Sequence, residues 1–534
     1  MNKESNKKQT EVKVKHWADI TAERIISQKG NKDTYVLASG ITPSGVVHFG
    51  NFREVITVDL VARALRELGK KVRFIFSWDD YDTFRKIPKN MPKQDDLTKF
   101  LFQPIVDTPD PFEKEKSYAA HHEKSFESQL VKVGVQVEPI YQANNYRAGI
   151  YKNNIKNALE KTEDIKSILN EHRTTPLKND WLPVSIYCQN CNTDNKITNT
   201  SWDGEAISYL CENCNNQSKE VLEGSTRVKL PWRIDWPMRW SYEKVDFEPG
   251  GKDHSSQGGS FTTAKEIVKL YNWEAPIYLQ YDFVSIKGAG GKMSSSSGNL
   301  ITVNDVLKIY EPEIVRWIFA SYKTNVDFSI SFDLDVIKTY EDFDRQERLA
   351  YGVDQGNAKK AAMAKRVYHL SQIEDAPSEM PFQPSFRHLT NILQINDLDI
   401  SKARSFYSEQ IKNDRDERRF TERASCAIYW LKNYAPEEFK FSLNHEAISL
   451  ELNSKQVSFF KNIRSTIDTQ FDSFQTDKEL HESMYQIINE LELTPAEAFL
   501  PFYKILINKE KGPKLAGFLR TVGKDKVLNL LSNF

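Results

Sequence analysis

The chain has 534 residues, with 73 Lys and Arg against 74 Asp and Glu, 39% hydrophobic residues and 28% charged ones. At roughly 150 residues per domain this length predicts three or four globular domains, and the balance of apolar and charged residues excludes a disordered chain. A net charge of -1 excludes a bulk polycation, so any nucleic-acid contact must come from local basic patches. Residues 1–13 read as a polar tail without the apolar stretch of a secretory signal. No run of apolar residues is long enough to span a membrane, so a cytoplasmic protein with no membrane partner is expected. From Thr34 onward, Tyr35-Val36-Leu37-Ala38-Ser39-Gly40 is a buried strand that ends in small residues. Val55, Val58, Leu60, Val61, Ala64, Leu65 and Leu68 then repeat at helical spacing, and Gly69 is placed to cap the helix. Val72–Trp78 reads as a second strand. Strand, helix and strand in this order predict a parallel sheet. Residues 85–115 carry five prolines (Pro88, Pro92, Pro104, Pro109, Pro111) and read as a long irregular connection. Helix and strand alternate again over 123–171. A small insertion is expected at 175–226 and a return to α/β character over 227–330. Beyond about 340 the pattern is helical. Val457, Phe460, Ile463 and Ile467, then Met484, Ile487, Ile488 and Leu491, predict core-facing stripes. The proline-bearing stretch 372–386 reads as an interhelical loop.

Four of the five cysteines form two pairs: Cys188-x-x-Cys191 and, after 19 intervening residues, Cys211-x-x-Cys214. Two such knuckles match tetrahedral zinc. With four protein ligands no position stays open, so the metal is expected to be structural. Cys426 lies in an apolar helical stretch and reads as core.

Two segments suggest phosphate binding. The first strand runs into Gly40-Ile41-Thr42-Pro43-Ser44-Gly45-Val46-Val47-His48-Phe49-Gly50-Asn51. Small residues at a strand end admit a ligand close to the backbone, and the next helix N-terminus offers N–H groups to phosphate. The second segment, Lys287-Gly288-Ala289-Gly290-Gly291-Lys292-Met293-Ser294-Ser295-Ser296-Ser297-Gly298, is rich in glycine and hydroxyls, with a lysine beside them. It lacks the spacing of a Walker loop.

Taken together, His48-Phe49-Gly50-Asn51 resembles the HIGH motif of class I aminoacyl-tRNA synthetases, and Lys292-Met293-Ser294-Ser295-Ser296 resembles their KMSKS motif. Within that class the chain is most similar to the archaeal-type class I lysyl-tRNA synthetases. Supporting stretches are His16-Trp17-Ala18-Asp19, Ser77-Trp78-Asp79-Asp80-Tyr81-Asp82, Leu230-Pro231-Trp232-Arg233-Ile234-Asp235-Trp236-Pro237, Gly251-Lys252-Asp253-His254 and Lys511-Gly512-Pro513-Lys514-Leu515. The resemblance covers roughly 14–534. Phe49, Asn51 and Ser295 depart from the general motifs, but Asn51 still offers an amide donor.

The resemblance implies an α/β Rossmann-type parallel-sheet catalytic domain with a zinc-bearing insertion, followed by an all-α C-terminal domain. The expected division is a tail at 1–13, the catalytic halves at 14–160 and 229–285, and the insertion at 161–228. A stem-contact region follows at 286–345 and a helical anticodon-binding domain at 346–534. It further implies ATP with Mg²⁺, L-lysine and tRNA(Lys) as partners, structural Zn²⁺ on Cys188, Cys191, Cys211 and Cys214, and a monomer. His48, Asn51, Lys292, Ser294, Ser295 and Ser296 would act on the phosphates, with Pro43, Ser44, Gly45, Gly50 and Met293 around ATP. Gly40, Thr42, Trp232, His254 and Tyr281 would surround lysine, and Asp79, Asp80 or Asp235 would meet its ammonium groups. Arg415, Arg418, Arg419 and Arg423 form a strip that reads either as a phosphate contact or as a salt-bridged surface. The alternative within the class is a glutamyl-type enzyme, with Arg233 or Arg239 selecting a carboxylate. A non-catalytic tRNA-binding paralogue is the alternative outside it.

Overall fold

The computed structural model describes residues 14–256, 258–288 and 300–534. The tail 1–13 and the readings of Lys292, Met293, Ser294, Ser295, Ser296 and Gly298 lie outside the described residues. The chain forms two compact units. The first comprises Met1–Val306, Pro312–Ile330 and Leu349–Ala376, and the second Leu307–Glu311, Ser331–Arg348 and Pro377–Phe534.

The first unit begins with α1 (Trp17–Lys29), β1 (Thr34–Ile41), α2 (Phe49–Glu67) and β2 (Lys71–Trp78). It continues with α3 (Tyr118–Lys132), β3 (Glu138–Tyr141), α4 (Trp232–Glu243), β4 (Phe247–Gly251) and β5 (Ile277–Tyr281). The strands form a five-stranded sheet in the order β5-β4-β1-β2-β3, and every pairing is parallel. From β1 the chain steps outward through β2 to β3, then returns to place β4 and β5 on the other side of β1. Such a reversal opens a crevice at the carboxyl ends of the central strands, where open α/β sheets bind ligands.

The helix α2 buries Val55, Val58, Leu60, Val61, Ala64 and Leu65 against the sheet, as its periodicity predicts. It stops at Glu67, and Leu68, expected in the buried stripe, is 49% exposed. Leu68 occupies the cap, followed by Gly69 at φ +76°, so the backbone turns that side chain outward. At Gly40 a Cβ atom would stand 3.1 Å from both Cβ and the carbonyl oxygen of Ser77, so β1 and β2 can approach here only because one residue lacks a side chain.

The proline-rich connection is more ordered than its composition suggests. It contains a short helix, Gln94–Thr98, and buries Met91, Leu97 and Ile105 in a small core shared with Phe84 and with Tyr118 and Ala119 of α3. The insertion holds three antiparallel strands, Ile197–Trp202, Ala206–Cys211 and Asn216–Val221.

The second unit is helical apart from its loops. Phe460, Ile463, Ile467, Met484, Ile487 and Ile488 are buried in one core, as their spacing predicts, while Val457 and Leu491 are half-buried at its margin. The stretch after Ser371 is a loop up to Phe386, and Cys426 is buried. The arginine strip is corrected. On α5 (Asp414–Asn433), Arg423 is fully buried between Glu311 and Asp344. Arg419 pairs with Glu347 at 2.7 Å. Helical spacing turns these two inward, while Arg415 is half-buried and Arg418 is exposed.

Candidate active site and metal centre

A cavity of about 470 Å³ opens at the carboxyl ends of β1, β2, β4 and β5. Its wall includes Gly40 and Thr42 from β1 and its loop, His48, Gly50, Asn51 and Glu54 from α2, and Asp79 and Asp82 after β2. Trp232, Asp253, His254, Tyr281 and Asp282 complete most of it. The structure therefore brings together His48, Gly50 and Asn51 with Gly40, Thr42, Asp79, Trp232, His254 and Tyr281, residues that lie as many as 241 positions apart, from Gly40 to Tyr281.

The start of α2 shows how the first motif is built. His48 occupies the N-cap with extended backbone (φ -95°, ψ 165°). Its N–H donates to Asn51 Oδ1 at 3.2 Å, which identifies the oxygen end of the amide and leaves Nδ2 as the donor. The first N–H groups of a helix seek external acceptors; one of them, on Phe49, donates to the carbonyl of Ile301 at 2.7 Å. The chain that emerges after residue 299 is thus tied to the N-terminus of α2. Arg53, buried beneath, donates to the carbonyls of Phe283, Thr324 and Val326 and secures the chain on the other side of the same segment.

Two of the three proposed carboxylates do not reach the cavity. Asp80 Oδ1 accepts from the Ala143 N–H at 2.7 Å, and burial pushes its pKa up to about 7. Asp235 accepts from the Tyr146 hydroxyl and pairs with Arg239 at 3.2 Å. Arg239 also pairs with Asp79 at 2.7 Å, so it is the centre of an internal triad and does not line the cavity. Arg233 does not line it either; it donates to Thr263 Oγ1 at 3.2 Å. Pro43, Ser44 and Gly45 form the turn beside the cavity, where the Ser44 carbonyl accepts from the Tyr118 hydroxyl at 3.1 Å.

The sequence reading missed Glu54 and Lys229, and it quoted Asp82 within the stretch Ser77–Asp82 without giving it a role. Lys229 is buried and paired with Asp82, whose other oxygen accepts from Thr42 Oγ1 at 3.2 Å. A signal for Glu54 existed: His48, Asn51 and Glu54 recur every three residues, the spacing that places side chains in one row along a helix.

Behind this wall lies Glu248, whose carboxylate accepts from the Trp240 indole. Burial, and then the charge of Glu54, push its pKa from 4.5 to about 7. The folded state therefore keeps a proton that the unfolded chain has lost, and stability falls as pH rises between those values. We expect Glu248→Gln to gain on the wild type by the order of 1–3 kcal/mol between pH 5 and pH 8. Urea unfolding at both pH values checks this, and a constant difference would refute it.

In the insertion, the four cysteine sulfurs lie within 4.8 Å of one another. Cys188 Sγ is 3.6 Å from Cys214 Sγ, and Cys191 Sγ is 3.7 Å from Cys211 Sγ. Tetrahedral Zn²⁺ at 2.3 Å from each sulfur requires about 3.8 Å between sulfurs, so the set fits zinc. Asn190 N–H and Asn216 Nδ2 donate to Cys188 Sγ, the support a metal-bound thiolate needs. The module is held to the sheet by Thr83, which donates to Asp194, and by the Tyr187 hydroxyl, which donates to the Tyr81 carbonyl at 2.8 Å. Cys188→Ser is expected to lower the melting temperature by at least about 5 °C and to abolish bound zinc. Elemental analysis beside a thermal melt checks this; wild-type protein without zinc, melting like the variant, would refute the site.

The strand order, the switch-point crevice and a helix N-terminus facing it define a Rossmann-type nucleotide-binding fold. The sequence model of the tRNA synthetases class I (K) matches residues 15–374. The lysine–tRNA ligase of Borreliella burgdorferi is 48% identical over 98% of this chain and 100% of its own length. That of Treponema pallidum is 45% identical over 97% and 98%. That of Thermococcus kodakarensis is 39% identical over 97% and 99%. The chain belongs to the class I (K) tRNA synthetases.

Proposed function

We propose that this chain activates L-lysine with ATP and transfers it to tRNA(Lys). The observation that carries the amino-acid assignment is the charge of the cavity. Among the described residues its wall holds five acidic side chains (Glu54, Asp79, Asp82, Asp253, Asp282) and neither lysine nor arginine. Such a wall suits a cationic substrate and opposes the side chain of glutamate. Trp232 and Tyr281 supply apolar faces for the methylenes.

In the first step an oxygen of the lysine carboxylate attacks the α-phosphorus of ATP. The bond to the bridging oxygen breaks, and pyrophosphate leaves with the electron pair. In the second step a ribose hydroxyl at the tRNA terminus attacks the lysyl carbonyl, and AMP leaves. No covalent enzyme intermediate is needed, so the protein contributes positioning and charge stabilisation. His48 and the Nδ2 end of Asn51 bind phosphate oxygens, and Gly50 admits them to the backbone. Lys292, Ser294, Ser295 and Ser296 offset charge on the leaving pyrophosphate, with Met293, Pro43, Ser44 and Gly45 around the nucleotide. Mg²⁺ enters with ATP. Zinc on Cys188, Cys191, Cys211 and Cys214 stiffens the insertion, which holds the acceptor end.

The helical second unit reads the anticodon. A cavity of about 930 Å³ in it supports this reading. Its wall combines Lys509, Lys511, Lys514 and Arg520 with Phe406, Phe439 and Phe441. Cations for phosphate and rings for unstacked bases are what single-stranded RNA loops require.

The test is charging of total tRNA with each of twenty labelled amino acids, with ATP and Mg²⁺. Lysine alone should be incorporated. Glutamate incorporation would replace this reading with the glutamyl one, and no incorporation by folded, zinc-loaded protein would favour the binding-only paralogue.

A further inference from the structure

Just beyond β2, three consecutive residues take their side-chain partners from the cysteine-bearing insertion or its foot. The Tyr81 hydroxyl donates to the Thr226 carbonyl, and the Thr83 hydroxyl donates to Asp194. Between them Asp82 pairs with Lys229. Lys229 lies on a short strand, Val228–Lys229, that pairs antiparallel with Ser185–Ile186 at the foot of the insertion. The Tyr81 carbonyl accepts from Lys229 Nζ at 3.2 Å and from the Tyr187 hydroxyl at 2.8 Å. These partners stand beside the cysteines. Tyr187 precedes Cys188, whose N–H donates to the Thr193 carbonyl at 3.0 Å. Thr193 Oγ1 is 3.1 Å from Cys191 Sγ, and Asp194 is the next residue. Asp82 lines the cavity and accepts from Thr42 Oγ1 at 3.2 Å, and Thr42 lines it too. A continuous chain of bonded groups therefore runs from the four sulfurs to two residues of the cavity wall.

We propose that the zinc-bearing insertion is a working part of the amino-acid site. Thr83, Tyr187 and Lys229 are positioning residues that set the place of Asp82 and Thr42, so lysine binding and zinc binding strengthen each other. The inference rests on the reading of the cavity as a lysine site and of the four cysteines as a zinc site. Knuckles of this kind are ordered only with their metal. Tyr187 and Asp194 thus have two states, held and released. In the released state the Asp82 carbonyl still accepts from the Ile105 N–H at 2.8 Å, but the side chains on either side of Asp82 lose their anchors. The attraction between a carboxylate and a cationic substrate depends on their separation, so a displaced Asp82 binds lysine less well. A ligand that needs the held state binds better with zinc in place, and by reciprocity zinc binds better with that ligand in place. The phosphate end of the cavity is built on α2 instead, at His48 and Asn51, so ATP should not share this coupling.

The test uses the full-length, zinc-loaded protein with tRNA(Lys) present throughout. Zinc affinity is measured by competition with a chelator of known affinity, with and without saturating lysine. In the wild type lysine should tighten zinc by about 10-fold, a middling size for coupled sites, whereas ATP should change it by less than about threefold. Thr83→Val keeps the shape and loses the hydroxyl. It should raise the KM for lysine by about 10-fold, leave the KM for ATP within about twofold and abolish the effect of lysine on zinc. Thr83→Ser should restore all three. Tyr187→Phe removes one donor to the Tyr81 carbonyl and should show the same split between lysine and ATP, to a smaller degree; it carries the test if Thr83→Val does not fold. A zinc affinity that lysine leaves unchanged overturns the inference, and so does one that ATP tightens equally, since that is general stabilisation. Coupling that survives in both variants overturns the route through Thr83 and Tyr187. Wild type that charges no lysine or holds no zinc sinks the readings beneath the inference and the inference with them, whereas wild type that charges lysine and holds zinc without coupling sinks the inference alone.

Discussion

Lys292→Ala is expected to cut lysyl-adenylate formation by about 10²–10³-fold, the usual loss when one donor to a developing negative charge is removed. Lysine binding and the melting temperature should be unchanged. The reason is that pyrophosphate gains charge as its bond to the α-phosphorus breaks, and a cation that meets it only then stabilises the transition state more than the ground state. Lys292 lies outside the described residues, but the chain on either side of it is secured. Val284–Ile286 pairs with Phe328–Ile330, and the Ile301 carbonyl accepts from Phe49 at the N-terminus of α2. Single-turnover adenylate formation in the presence of tRNA measures the effect. A loss smaller than about tenfold, worth 1.4 kcal/mol, would remove Lys292 from this role.

The second large effect is expected at Arg239. Its guanidinium joins Asp79 and Asp235, all three buried, and stands 5.7 Å from the centre of the Trp232 ring. Arg239→Ala would leave two buried carboxylates without a cation, which costs about 3–5 kcal/mol. For a unit of this size that is a fall of the order of 10 °C in melting temperature. Asp79 lines the cavity, so the variant should also bind lysine poorly. Arg239→Lys restores the charge but not the two-pronged geometry and should recover only part of the loss. Calorimetry of the three proteins checks this; a shift below about 2 °C would mean that water or a proton neutralises the carboxylates.

Much of the molecule is legible from residue order alone. The strand at Thr34–Ile41, the amphipathic α2, the strand at Lys71–Trp78 and the two cysteine knuckles are local patterns, set by periodicities of two and 3.6 residues and by the spacing a tetrahedral metal imposes. The two segments that read as phosphate motifs are short, and adjacent residues carry the pattern. Charge is different. From residue order, Asp79, Asp80 and Asp235 are equivalent carboxylates, and Arg233 and Arg239 are equivalent selectors. Their identities cannot separate them, because a carboxylate's role depends on which cation folding brings to it. The tertiary structure gives Asp79 and Asp235 to Arg239, Asp82 to Lys229, and Asp80 to a backbone N–H. It turns Arg419 and Arg423 inward from a strip that reads as surface. It leaves Glu54, one turn along α2, facing the cavity with two neutral donors. Local pattern determined the elements and the motifs; the long-range pairing of charges, which exists only once strands far apart in sequence lie side by side, decided which carboxylates are neutralised within the fold.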